Sequence, residues 1–143
     1  MRARTVLLLA LSVCVLTIGV RANEKPTPEY QNIMKSNGAT NGAIGMHLMA
    51  KDYAAIEGDV ATLKANFAKT EAFWAAKKAD DAVTFSKNGV KALADLEAAA
   101  KAKDDAAIGA ARMALGMACG GCHMAHRERL PEDRKSTRLN SSH

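Results

Sequence analysis

The sequence predicts an all-α protein, an up-down-up-down bundle of four helices. The composition is rich in alanine and has few runs of β-branched residues, which favours helices over strands. Apolar residues recur at helical spacing in four separate segments. The connections between these segments are short, so consecutive helices are expected to run antiparallel.

The first two predicted helices have recognisable starts. Thr27 suits the N-cap and Pro28 the first position of a helix that runs to about Ala50. The second helix begins between positions 52 and 59 and ends near Trp74. It carries one stripe with the 4-3-4-3-4 spacing of a buried helix face, formed by Ile56, Val60, Leu63, Phe67, Thr70 and Trp74.

The third and fourth predicted helices follow without a long loop. The third runs from about Asp80 to Lys103, and its inner side is predicted to hold Val83, Val90, Leu93, Leu96 and Ala100. The fourth starts at Asp104 or Asp105, acidic residues that suit a helix N-terminus, and continues past His126. A seven-residue repeat marks its inner face, at Ile108, Leu115 and Cys122.

Both ends of the chain carry segments that we expect to lie outside the folded domain. Residues 1–22 combine a basic start, an apolar run and small residues before a cleavage site after Ala22, the pattern of a secretory signal peptide. An uncleaved anchor is the alternative, but the run is short for a membrane span. Residues 133–143 match a translated DNA sequencing adapter, so we interpret them as an artefact with the native C-terminus missing. Residues 23–132 then form one domain.

Removing these ends changes the charge balance. The full chain has a formal net charge of +5. Of the 20 Lys and Arg residues, three lie in residues 1–22 and three in residues 133–143, which leaves 14 basic residues in the domain. Of the 15 Asp and Glu residues, one lies in residues 133–143, which leaves 14 acidic residues. The domain is therefore formally neutral. We expect it to bind neither nucleic acid nor an anionic membrane surface.

The motif Cys119-Gly-Gly-Cys122-His123 carries the chemistry. C-x-x-C-H is the attachment signature of c-type haem. Residues i, i+3 and i+4 share one face of a helix, so both thiols can reach the two vinyl groups of one porphyrin while His123 points its imidazole at the iron. The sequence therefore predicts one covalently bound haem c, with His123 as an axial ligand.

Three other interpretations of this motif agree less well with the sequence. A structural zinc site needs four ligands, and only His47, His123 and His126 could add to the two cysteines, with no second Cys/His pair in the domain. A thioredoxin-type redox motif belongs beside βαβ patterning, which the sequence lacks. A chance match in a cytosolic protein conflicts with the signal peptide.

From about Tyr30 to Arg127 the sequence resembles the class II c-type cytochromes, the cytochrome c′ and cytochrome c-556 group, which place C-x-x-C-H near the end of a four-helix bundle. The resemblance is strongest over Cys119–Arg127. It implies that Arg127 is the arginine that the family has four residues after the ligand histidine. It also implies that Met34 matches the methionine ligand of the low-spin c-556 type, and that Tyr30 stands where many c′ members have an arginine near the haem edge.

The sixth iron ligand can also be approached from helix geometry. Cys122 lies near the end of the fourth helix and Met34 lies six residues after Pro28, so the two share one level if the first and last helices run antiparallel. Met46, His47 and Met49 lie roughly 18–22 Å further along the first helix. Met34 is the favoured ligand, and an open or water-occupied site or another residue are the alternatives. We expect Met113, Met117 and Met124 to pack around the cofactor.

The predicted function is electron transfer by a periplasmic mono-haem protein, with redox partner proteins and a possible homodimer. No stable membrane insertion is expected after signal cleavage. The alternative is a five-coordinate, cytochrome c′-like protein that binds NO or CO. Catalysis such as peroxidase activity would need an open iron site with distal polar groups. No such arrangement is recognisable in the sequence, so we do not expect an enzyme.

Overall fold

A computed structural model describes residues 26–127, which form four α-helices and no β-strand. The helices are α1 (Pro28–Ala50), α2 (Tyr53–Ala76), α3 (Asp80–Ala102) and α4 (Asp105–His126). The prediction of an all-α fold with four helices is confirmed. None of the helices in residues 26–127 is long and apolar enough to cross a membrane. The predicted signal peptide, residues 1–22, and the predicted artefact, residues 133–143, lie outside the described residues.

Three of the helices begin at side-chain caps. In each case a side-chain oxygen accepts a hydrogen bond from the backbone N–H three residues later, and the capping residues are Thr27, Asp52 and Asp104. The predicted starts of α1 and α4 are thereby confirmed. The predicted end of α4 is wrong by a short margin, because Arg127 has extended backbone angles and the helix ends at His126.

The core is built from the inner faces of all four helices. Its fully buried large side chains are Ile44, Ile56, Val60, Leu63, Leu93, Leu96, Ile108 and Leu115. One core prediction fails, because Val90 is exposed and Gly89 takes the inward position. A Cβ at Gly89 would overlap the ring of Phe67, so only glycine lets α2 and α3 approach at this level.

The four helices do not pack equally against one another. In residues 26–127, close backbone packing joins α1 to α2, α2 to α3, and α3 to α4. The pair α1 and α4, which would close the bundle, is not among them. The two helices are instead linked by side chains, such as Arg112 of α4, whose Nη2 lies 3.4 Å from the carbonyl oxygen of Asn41. The bundle is therefore loosest along its α1–α4 side.

Candidate functional site

A cavity of about 150 Å³ lies at the end of the bundle where α1 begins and α4 ends. All four helices contribute to its mainly apolar wall, which consists of Tyr30, Met34, Asn37, Gly38, Asn41, Phe67, Thr70, Phe85, Ser86, Ala118, Cys119, Cys122 and His123. A larger and more open cleft of about 390 Å³ lies between α3 and α4, and its lining includes none of the predicted site residues. The smaller cavity is therefore the candidate site.

Five of the six predicted site residues line this cavity. Cys119, Cys122 and His123 reach it from α4, and Tyr30 and Met34 reach it from α1. The helix-level argument that placed Met34 opposite the cysteine motif agrees with this arrangement. The sixth residue, Arg127, follows α4 as its exposed C-cap and is not part of the wall.

The other candidate ligands on α1 lie away from the cavity. Met46 and Met49 are 60% and 79% exposed and do not line it. His47 Nδ1 lies 2.8 Å from Asp59 Oδ2, so this imidazole pairs with a carboxylate of α2. Of the α1 methionines, only Met34 shares a cavity with the cysteine motif.

The surroundings of the motif shift the pKa values of its two cysteines and its histidine. Burial is the largest cause that raises the pKa of both Cys119 and Cys122, and neither thiol forms a disulfide. His123 is exposed on its outer side, but partial loss of solvent at the cavity still lowers its pKa, and the positive charge of Arg127 adds to this effect. This direction favours the neutral imidazole, which is the form that binds a metal ion.

Glycines set the positions of the two phenylalanine rings in the wall. A Cβ at Gly121, inside the cysteine motif, would overlap the ring of Phe85, as one at Gly89 would overlap Phe67. The Phe67 ring therefore packs against α3 and the Phe85 ring against α4, so neither ring fills the cavity. Gly120, the other glycine of the motif, has open space where its Cβ would be.

An aromatic cluster covers the end of the bundle beside the cavity. Trp74 Nε1–H donates a hydrogen bond of 2.7 Å to the hydroxyl of Tyr30, and the Tyr30 ring stacks on Phe73 at a centroid distance of 4.0 Å. His126 packs against Trp74 and lies 2.9 Å from a carboxylate oxygen of Asp81. Burial raises the pKa of Tyr30 to about 12, so its hydroxyl stays protonated.

Sequence reasoning missed part of the wall and misplaced three methionines. Asn37 and Asn41 share a face of α1 with Met34, a spacing that could have been recognised. Met113, Met117 and Met124 were expected to pack around a cofactor. They are instead 70%, 67% and 84% exposed, and none of them lines the candidate cavity.

The described residues do not form a metal site from side chains alone. Among residues 26–127, no group of three or more His, Cys, Asp or Glu side chains could hold a metal ion. A four-ligand zinc site at the cysteine motif therefore has no support from this part of the chain. In comparisons with known proteins, no family model, no curated protein and no solved structure matches the chain.

Proposed function

We propose that this protein is a periplasmic mono-haem c-type cytochrome of the class II type, which transfers electrons between redox partner proteins. One observation carries the proposal. Cys119, Cys122 and His123 of the Cys-Gly-Gly-Cys-His motif line one mainly apolar cavity together with Met34 of α1. Two cysteines for thioether attachment and a histidine–methionine pair for the iron are the set that holds haem in cytochromes c.

The side chains that line the cavity are of the types that bind haem, but the cavity must become larger to hold it. The volume of the cavity is about 150 Å³, whereas typical cofactor pockets have volumes of roughly 300–1,000 Å³. The side that can widen is the α1–α4 side, because the backbones of these two helices pack less closely than those of consecutive helices in residues 26–127. Met34 and the cysteine motif lie on these same two helices, so their separation would make room between the predicted iron ligands.

Different residues of the cavity would bind different parts of the haem. Cys119 and Cys122 would attach its vinyl groups, and His123 and Met34 would bind the iron from α4 and α1. The bound haem would supply a one-electron redox couple. Phe67 and Phe85 would keep water away from the ring faces, because both aromatic side chains line the wall.

The pair of axial donors favours electron transfer over gas binding. A thioether and an imidazole favour low-spin iron at a raised potential. With both positions filled by protein side chains, neither ligand has to leave when the oxidation state changes. An open sixth position would instead favour capture of NO or CO, and Met34 is the residue that decides between the two functions.

Optical spectra of the haem-loaded protein and its Met34→Ala variant test this proposal. The wild type should be low-spin, with the near-infrared charge-transfer band of methionine-ligated ferric haem, and should bind CO slowly. Met34→Ala should become high-spin, bind CO rapidly in the reduced state and have a lower potential, since the thioether favours Fe(II).

Met46→Ala is the matched control, because Met46 lies on the same helix and is 60% exposed outside the cavity. It should keep the wild-type spectrum. Rapid CO binding by the wild type, with no further change in Met34→Ala, would contradict electron transfer and favour the gas-binding function. A chain that acquires no covalent haem would contradict both functions.

A further inference from the structure

Arg112 is a half-buried cation that forms no ion pair within residues 26–127. It projects from α4 towards α1, where a Cβ at Gly45 would lie 3.1 Å from its Nη2 atom. The guanidinium therefore rests against the bare backbone of Gly45. Its one hydrogen bond is the long contact of 3.4 Å to the carbonyl oxygen of Asn41, and no carboxylate of residues 26–127 forms an ion pair with it.

Two neighbouring amides share this deficit. The Nε of Arg112 and the side-chain oxygens of Asn37 and Asn41 are shielded from solvent and have no hydrogen-bond partner in the described part of the chain. A buried polar group without a partner destabilises the folded state, because it loses its hydrogen bonds to water and gains none in return. An asparagine amide can turn to present its NH2 group, so all three side chains can donate to an anion. An anion beside Arg112 would accept from its Nε and, with both amides turned, from Asn37 and Asn41 as well.

The location of these groups points to the cofactor cavity. Asn37 and Asn41 line the cavity, and Arg112 contacts Asn41 at its inner end. Arg112 lies seven residues before Cys119, which is about 10 Å along the helix axis. In haem, the two carboxylates are on the porphyrin edge opposite the vinyl groups, so they extend away from the cysteines.

We propose that Arg112, Asn37 and Asn41 form a carboxylate-binding site for a haem propionate. This inference rests on the proposed function, because it needs haem attached at Cys119 and Cys122. Arginine suits this role because its planar guanidinium can donate two parallel hydrogen bonds to one carboxylate. Arg112 would then be a positioning residue, because it would fix the orientation of the haem and neutralise the charge of one propionate.

The test measures the midpoint potential of the haem-loaded, full-length protein. Arg112→Met should shift the potential downwards, because an unneutralised carboxylate near the iron favours Fe(III). Arg112→Lys should retain most of the wild-type value, and Asn41→Leu should give a smaller downward shift. Lys87→Met is the matched control, since it removes one positive charge from an exposed position of α3, and it should leave the potential unchanged.

A structure of the haem-loaded wild type is the second measurement, and it does not depend on the variants folding. A propionate oxygen should lie within about 2.7–3.2 Å of an Arg112 nitrogen. Both propionates elsewhere, or equal potentials in Arg112→Met and Lys87→Met, would overturn this inference while leaving the proposed function intact. Wild-type protein without covalent haem would overturn both.

Discussion

The two glycines of the cysteine motif should respond oppositely to the same substitution. Alanine is favoured over glycine inside a helix by about 1 kcal/mol. At Gly120 the added methyl group enters open space, so Gly120→Ala should stabilise the protein by up to about that amount. At Gly121 it would overlap the Phe85 ring, and such overpacking typically costs about 1–3 kcal/mol. Gly121→Ala should therefore be less stable than Gly120→Ala by about 1–3 kcal/mol.

Urea unfolding followed by circular dichroism measures this difference, with equal m-values as the check that both variants keep the same folded state. Gly121→Ala should also change the haem content, because the displaced Phe85 ring lines the candidate cavity. Equal unfolding midpoints for the two variants would refute the packing argument, since the two positions differ only in what their Cβ atoms meet.

Two further predictions concern named contacts outside the motif. Hydrogen bonds from Lys64 and Lys101 lower the pKa of Glu97 to about 2. The contribution of Glu97 to stability is therefore present above its unfolded pKa of 4.5 and is lost as the pH falls towards 2. Glu97→Gln should remove this part of the acid sensitivity, measured as the change in melting temperature between about pH 7 and pH 3. Trp74→Phe leaves the buried Tyr30 hydroxyl without its donor and should lower the free energy of unfolding by about 1–3 kcal/mol, and an unchanged urea midpoint would contradict this.

The helix boundaries were largely predictable because local chemistry sets them. Thr27 and Asp104 cap helices through their own side chains, and Pro28 fits only an early helical position. The meeting of Met34 with the cysteine motif was predictable for a similar reason. It depends on helix rise and antiparallel order, which residue counting captures.

The features that the sequence did not predict depend on contacts between helices. Val90 and Gly89 are adjacent, and nothing in the local pattern shows that the Phe67 ring excludes any side chain at Gly89. The missing partner of Arg112 Nε within residues 26–127 is likewise visible only when the neighbours of Arg112 on α1 are known. Helical periodicity gives the face of a residue but not the shape of what packs against it.

The central claim is that Cys119 and Cys122 hold one haem covalently. The most direct measurement is the mass of the denatured protein after secretion from a host with a c-type maturation system, with the Cys119→Ala/Cys122→Ala double variant as the control. The account predicts that the wild-type mass exceeds that of the chain by one haem, which organic acid does not extract, and that the double variant carries no covalent haem. A wild-type mass equal to that of the chain alone, with two free thiols, would contradict it.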